Sequence, residues 1–115
     1  MRRDADYLQD MAIAASKALR FVRGLDYPMF VENDEKQAAV FGQLIVLGEA
    51  ANHVSAAEKS RHPTIPWRQI IATRNRIVHG YDDVDCLIIW DIATRELPQL
   101  LHYFRDHLPI ADCPG

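Results

Sequence analysis

What most restricts the fold open to this chain is the spacing of its apolar residues, which recur at helical intervals almost from end to end. Leu8, Met11, Ala15, Ala18, Leu19 and Val22 keep to steps of three and four, the steps that bring side chains onto one face of an α-helix. Residues 4–23 therefore form a first helix, and Gly24 supplies its stop. Residues 26–30 are a connection, after which Asn33 or Asp34 N-caps a second helix that runs to about Val54. The middle of that helix, Val40, Phe41, Leu44, Ile45, Val46 and Leu47, is apolar on more than one side. A helix of this kind is either central to a bundle or shared with a partner subunit.

Ser55 to Pro66 is polar and interrupted by prolines, so it reads as a loop with room for one turn of helix. Pro66 suits the first position of a third helix, where its missing N–H is not needed. That helix ends at His79, with Gly80 as a left-handed cap. Asp82 or Asp83 opens a fourth, with Leu87, Ile88, Ile89, Trp90, Ile92, Leu97, Leu100, Leu101 and Phe104 as its buried positions. Pro98 should kink it or divide it in two. No strand-like alternation competes. The expectation is an all-α antiparallel bundle of four to five helices, forming a single domain over residues 1–115.

At 115 residues and 49% hydrophobic, the chain can bury a real core but not two. Its longest uncharged stretch, residues 37–48, is too short to span a bilayer, and the N-terminus lacks the apolar segment of a secretory signal. A cytoplasmic location is expected. There Cys86 and Cys113, which have no paired-ligand spacing, would remain thiols, and Cys86 reads as core or near-core packing.

The net charge of −3 argues at first against a nucleic-acid partner, but the charges are unevenly distributed. Residues 59–81 contain no Asp or Glu and five cations, Lys59, Arg61, Arg68, Arg74 and Arg76, while the rest of the chain is strongly acidic. Phosphate binding needs a local basic surface of this kind and not a basic average. Chance can also produce an acid-free stretch, so charge alone leaves both readings open.

Arg74 is the residue in this stretch that most needs explaining. At about 100° per residue, Trp67, Ile70, Ile71, Ile77 and Val78 all fall within roughly 60° of it, which puts a guanidinium in an apolar stripe. Arg68, Asn75 and His79 share an adjacent ridge, with Arg76 a further cation nearby and Gly80 and Tyr81 directly following. If this helix met its own copy across a twofold axis, two arginines and two histidines would line one cleft. RNA carries its own nucleophile, the ribose 2′-hydroxyl. An imidazole can take that proton near neutrality, and a guanidinium can hold the charge that builds on a five-coordinate phosphorus, with no metal or cofactor required. Asn75 could steady the His79 ring or the phosphate.

Structural explanations stand beside this one. A buried arginine is often half of an ion pair, and Glu49 of the second helix is its obvious mate. A histidine before a glycine often caps a helix, and Tyr81 could simply fill the core. His53, His62, His102 and His107 lack metal spacing and read as solvated or hydrogen-bonded.

The run Arg74-Asn75-Arg76-Ile77-Val78-His79-Gly80-Tyr81 is similar to the Arg-x4-His-x-Tyr motif of HepT-like proteins, a branch of the HEPN superfamily. Ile65-Pro66-Trp67-Arg68-Gln69-Ile70-Ile71 before it, Leu47-Gly48-Glu49-Ala50-Ala51 in the second helix and Trp90-Asp91-Ile92 after it strengthen the resemblance. The resemblance implies a HEPN-type bundle that forms a homodimer around a common cleft and acts as a metal-independent ribonuclease. It also implies the toxin of a toxin–antitoxin pair, whose nucleotidyltransferase partner silences it by AMPylation of Tyr81. Arg74 and His79 then become the catalytic pair and Asn75 a supporting group; Glu49 matches the family segment too, as either a catalytic group or one that orients Arg74, and from the basic segment Arg68 and Arg76 are candidates for holding RNA. The alternative is a non-catalytic module whose basic cleft binds the nucleotidyltransferase or nucleic acid.

Overall fold

The computed structural model describes residues 2–108; the side chain of Tyr81, the proposed modification site, and Cys113 lie outside the described residues. Among the described residues there is helix and no strand. Helix α1 (Asp4–Val22) is followed by a short α2 (Tyr27–Val31), the long α3 (Asp34–His53), a short α4 (Ala56–Arg61) and α5 (Trp67–His79). A 3-10 turn at Tyr81–Asp83 then leads into α6 (Cys86–Asp91), a π-helical stretch (Ile92–Glu96) and α7 (Leu97–His107).

Helix α3 is the central element, with α1 packed along one side and α5 along the other, and this is why its middle is apolar in more than one direction. α1 and α3 run antiparallel. Asp4 at the start of α1 accepts hydrogen bonds from Ser55 just beyond the end of α3, from the backbone N–H at 2.9 Å and from the hydroxyl at 2.6 Å, and the Tyr7 ring stacks on His53. α7 and the π-helical stretch close the far side of α1. Small side chains, Ala12, Ala15 and Ala18 of α1 with Ala50 and Ala51 of α3, are fully or nearly fully buried in the core. Its bulk comes from Met11, Phe30, Val40, Ile77, Ile89 and Phe104, each such burial contributing about 1.5–3 kcal/mol.

The helix starts follow capping chemistry. Asn33 accepts from the Lys36 N–H at 3.0 Å, as expected, and Ser55 accepts from Glu58 at 3.1 Å to start α4 in the segment expected to be mainly loop. Asp26 caps α2 by accepting from Met29 at 2.9 Å, so the supposed connection contains a helical turn that places Phe30 in the core.

Four further expectations need correction. Pro66 is the N-cap of α5 rather than its first helical residue. Gly80 is not left-handed but sits at φ −148° and ψ 62°, because the chain passes directly into the 3-10 turn, in which the Asp83 N–H bonds the Gly80 carbonyl. Gly24, at φ 83°, does take the left-handed conformation. The fourth helix starts from Asp85, which accepts from the Leu87 N–H, and not from Asp82 or Asp83. Leu87 and Ile88, expected to be buried, are 54% and 48% exposed, while Ile89 beside them is at 1%. The break near Pro98 is present, as a change of helical register: the π-helical stretch ends at Glu96 and Pro98 lies in the first turn of α7. Among the described residues no helix is long and apolar enough to cross a membrane.

Candidate functional site

Helix α5 lies on the surface of the bundle. Ile77 is its one buried residue, Trp67, Ile70 and Ile71 are partly covered, and Arg68, Ala72, Asn75, Arg76 and His79 form an exposed ridge. Arg74 sits at the border between the face packed on α3 and that ridge, with its side chain 30% exposed. The border position answers the question raised by the helical wheel: the guanidinium is neither buried in the core nor free in water.

Glycine at position 48 makes this placement possible. A Cβ on Gly48 would overlap Cβ and Cγ of Arg74 and lie 3.2 Å from the Ile70 carbonyl oxygen, so α3 and α5 touch at this point through the missing side chain. One residue further along α3, Glu49 accepts a short hydrogen bond from Arg74 Nη2. Arg74 Nη1 donates to Asn75 Oδ1 at 2.8 Å. Two acceptors on different helices thus fix the plane of the guanidinium, and each Nη keeps a second N–H. Nε is buried and has no partner among the described residues.

The Arg74–Glu49 ion pair anticipated from the sequence is present, but it is not a buried lock. Glu49 is 48% exposed, and a pair this open to water contributes about 0.2–1 kcal/mol. Its main effect is on direction. Asn75 turns its oxygen to Arg74 and not to His79, so its observed role is to orient the arginine. His79 is exposed and makes no hydrogen bond or ion pair to any described residue. It stands five residues beyond Arg74, about 7.5 Å further along α5 and about 140° around it. Within one subunit the two groups do not touch.

The remaining cations of the basic segment differ in how far they are neutralised. Arg61 pairs with Glu58 at 2.5 Å, and the Lys59 ammonium lies 6.0 Å from the centre of the Trp67 ring. Arg68 and Arg76 are exposed and have no ion-pair partner among the described residues. Their two charges leave a positive, unneutralised ridge beside Arg74, and His79 lies on that ridge. The other histidines are accounted for otherwise: His62 is hydrogen-bonded to Tyr103 and Glu58, His53 stacks on Tyr7, His102 pairs with Asp106, and His107 lies against Tyr103. Cys86 is a half-buried free thiol.

Comparison with known proteins places the sequence in a family. The profile of the ribonuclease HepT-like family matches residues 11–106. The chain belongs to that family. As a HepT-like chain it is 32% identical over 104 residues to the "Probable ribonuclease HepT" of Thermococcus cleftensis, an alignment that covers 90% of this chain and 94% of the relative. It is also 27% identical over 94 residues to the candidate RNase MJ1380 of Methanocaldococcus jannaschii, covering 82% and 86% of the two chains. A third relative, the candidate RNase TTE0752 of Caldanaerobacter subterraneus, is 26% identical over 100 residues, covering 87% and 89%. No solved structure matches the HepT-like chain.

Reasoning from the sequence missed the part played by Gly48. It can be found there in retrospect as a poor helix former placed in the interior of a helix, directly before the acid that pairs with Arg74.

Proposed function

We propose that this chain is a metal-independent endoribonuclease that works as a homodimer, with Arg74 and His79 as its catalytic pair. The observation that carries the reading is that Arg74 is oriented by Glu49 and Asn75 while still open to solvent, on the same helix as a histidine that no described residue occupies. In one subunit these groups are separated by the turn of α5, so a second α5 has to complete the cleft. Exposed apolar residues lie on the same two helices: Val78, four residues after Arg74 on α5, is 48% exposed, and Val46, three residues before Glu49 on α3, is 45% exposed.

In the proposed reaction, His79 Nε2 or Nδ1 removes the proton of a ribose 2′-hydroxyl, whose oxygen attacks the adjacent phosphorus. The bond from phosphorus to the 5′-oxygen breaks, leaving a 2′,3′-cyclic phosphate on one product. The 5′-oxygen leaves with a proton, supplied by an imidazolium or by water. The free N–H groups of Arg74 stabilise the extra negative charge on the phosphoryl oxygens as the attack proceeds. Arg68 and Arg76 hold the neighbouring phosphates. In this reading the protein is a cytoplasmic toxin, and a nucleotidyltransferase partner silences it by placing AMP on Tyr81. Nucleotide bulk and phosphate charge two residues from His79 would exclude RNA both sterically and electrostatically.

The test compares the wild type with Arg74→Ala and His79→Ala for growth arrest and for RNA cleavage in excess chelator. Both substitutions should abolish both effects while the helical circular dichroism persists. A His79→Ala protein that still cleaves RNA would refute the mechanism. Cleavage-inactive wild type that nonetheless binds a nucleotidyltransferase would favour the non-catalytic module. Mass spectrometry after co-expression with the nucleotidyltransferase should find AMP on Tyr81.

A further inference from the structure

Helix α5 rests on α3, and α7 packs mainly on α1 and the π-helical stretch, so the space between α5 and α7 is not filled by direct helix-to-helix packing. Over a floor of Leu44 and Leu47 from α3 there remains a cavity of about 430 Å³, with Ile70 of α5 and Leu100 of α7 on opposite walls. That volume lies within the range of small-molecule sites, about 300–1,000 Å³. The large exposed hydrophobic residues, Val46, Val78, Leu87 and Ile88 among them, are not part of its lining. An apolar face suited to a second copy of the chain therefore lies elsewhere, and the cavity is a separate, concave feature.

Thr64, Gln69 and Gln99 on its lining can each donate or accept, while Glu96, Thr73 and Tyr103 present acceptors. Glu96 at the rim is the one charged lining residue, and it has no ion-pair partner among the described residues. Thr73 uses its hydroxyl proton on the Gln69 carbonyl at 2.8 Å, which leaves its oxygen an acceptor. Tyr103 is held by a relay from outside the cavity. Glu58 lies 3.0 Å from His62 Nε2 and His62 Nδ1 lies 2.8 Å from the Tyr103 hydroxyl. A carboxylate can only accept, so Nε2 carries a proton toward Glu58, and Nδ1 shares a hydrogen bond with the Tyr103 hydroxyl. Whichever of the two donates, the phenol oxygen keeps a lone pair that it can offer to the cavity.

We propose that this cavity is a binding site for a small amphiphilic amine, with its apolar body on Leu44, Leu47, Ile70 and Leu100 and its ammonium group at Glu96 and Tyr103. Such a ligand satisfies the acceptors and the unpaired carboxylate together. An anionic amphiphile of the same shape meets a carboxylate with no cation on the lining to offset it. The site is independent of RNA cleavage, so its test does not depend on the ribonuclease reading.

The experiment titrates the full chain with n-octylamine, n-octanol and octanoate by calorimetry and maps each ligand by methyl NMR. The amine should bind roughly three- to fivefold more tightly than the alcohol, the advantage of a partly exposed ion pair, and octanoate should bind more weakly than both. Shifts should centre on the methyls of Ile70 and Leu100. Glu96→Gln, at an exposed position that leaves the fold intact, should level the amine with the alcohol, and Tyr103→Phe should weaken the amine more than the alcohol. Three results would overturn the proposal: none of the three ligands binds, octanoate matches the amine, or the amine preference survives Glu96→Gln. A concentration-dependent dimer that protects the cavity methyls would place a second copy there and overturn it as well.

Discussion

Gly48→Ala is the substitution that best tests whether the contact between α3 and α5 is what places Arg74. In the middle of a helix, replacing glycine by alanine ordinarily stabilises by about 0.5–1 kcal/mol, because the unfolded chain loses freedom it would otherwise recover. At Gly48 the added methyl meets Cβ and Cγ of Arg74 and comes within 3.2 Å of the Ile70 carbonyl oxygen. Neither obstacle can rotate away: Cβ is the root of the side chain, and the carbonyl belongs to the backbone of α5. The helices must separate, and overpacking of this kind costs about 1–3 kcal/mol. After the helix-propensity gain, the net loss should be about 0–2 kcal/mol. Gly42 supplies the control, since it lies in the same helix and an added Cβ there meets nothing within 4 Å. Gly42→Ala should therefore show the gain alone, and the two variants should differ by about 1–3 kcal/mol in urea unfolding. RNA cleavage should also fall further in Gly48→Ala, because the displaced atoms include the root of Arg74. Equal stabilities for the two variants would refute the claim that glycine is needed at position 48 for close approach.

Three further outcomes follow from contacts of other kinds. Glu49→Gln should change unfolding free energy by less than about 1 kcal/mol, because the pair is open to water, while lowering RNA cleavage through the loss of the carboxylate that orients Arg74; a loss of several kcal/mol would instead mark the pair as a structural lock. The Ser55 hydroxyl, followed by the Ser55 N–H, holds the Asp4 carboxyl below the ordinary carboxylate range. This tether between α1 and α3 therefore stabilises above that range and is lost as pH falls through the lowered value, so the melting temperatures of wild type and Asp4→Asn should differ near neutrality and converge in acid. Asn33→Ala should cost about 1 kcal/mol by leaving the Lys36 N–H without its cap, read as a lower urea midpoint at unchanged slope.

The parts of this fold that could be read in the sequence are those decided within a single helix. Apolar spacing marked α1 because burial on one face repeats with the helical turn, apolar residues on more than one side marked α3 as central, and Asn33 marked its own cap because the acceptor and the N–H it satisfies lie three residues apart. The partner of Arg74 was legible too, since Glu49 is the one acid in a long apolar stretch. Where the reading failed, the deciding contact lay outside the helix being read. Leu87, Ile88 and Ile89 look alike as a run, yet Ile89 alone reaches the core. Gly80 looked like a left-handed stop, but the 3-10 turn that follows takes its carbonyl and fixes a different backbone. The candidate site combines both kinds of information. A helical wheel gives the angle of Arg74 around α5 but not what faces that angle, and the answer lies on α3, where a missing side chain at Gly48 lets the helices close and a carboxylate at Glu49 meets the guanidinium that arrives. A motif written along one helix therefore describes only half of the device. If the position of the arginine depends on that contact, substitutions on α3 that never touch RNA should change cleavage as strongly as substitutions within the motif.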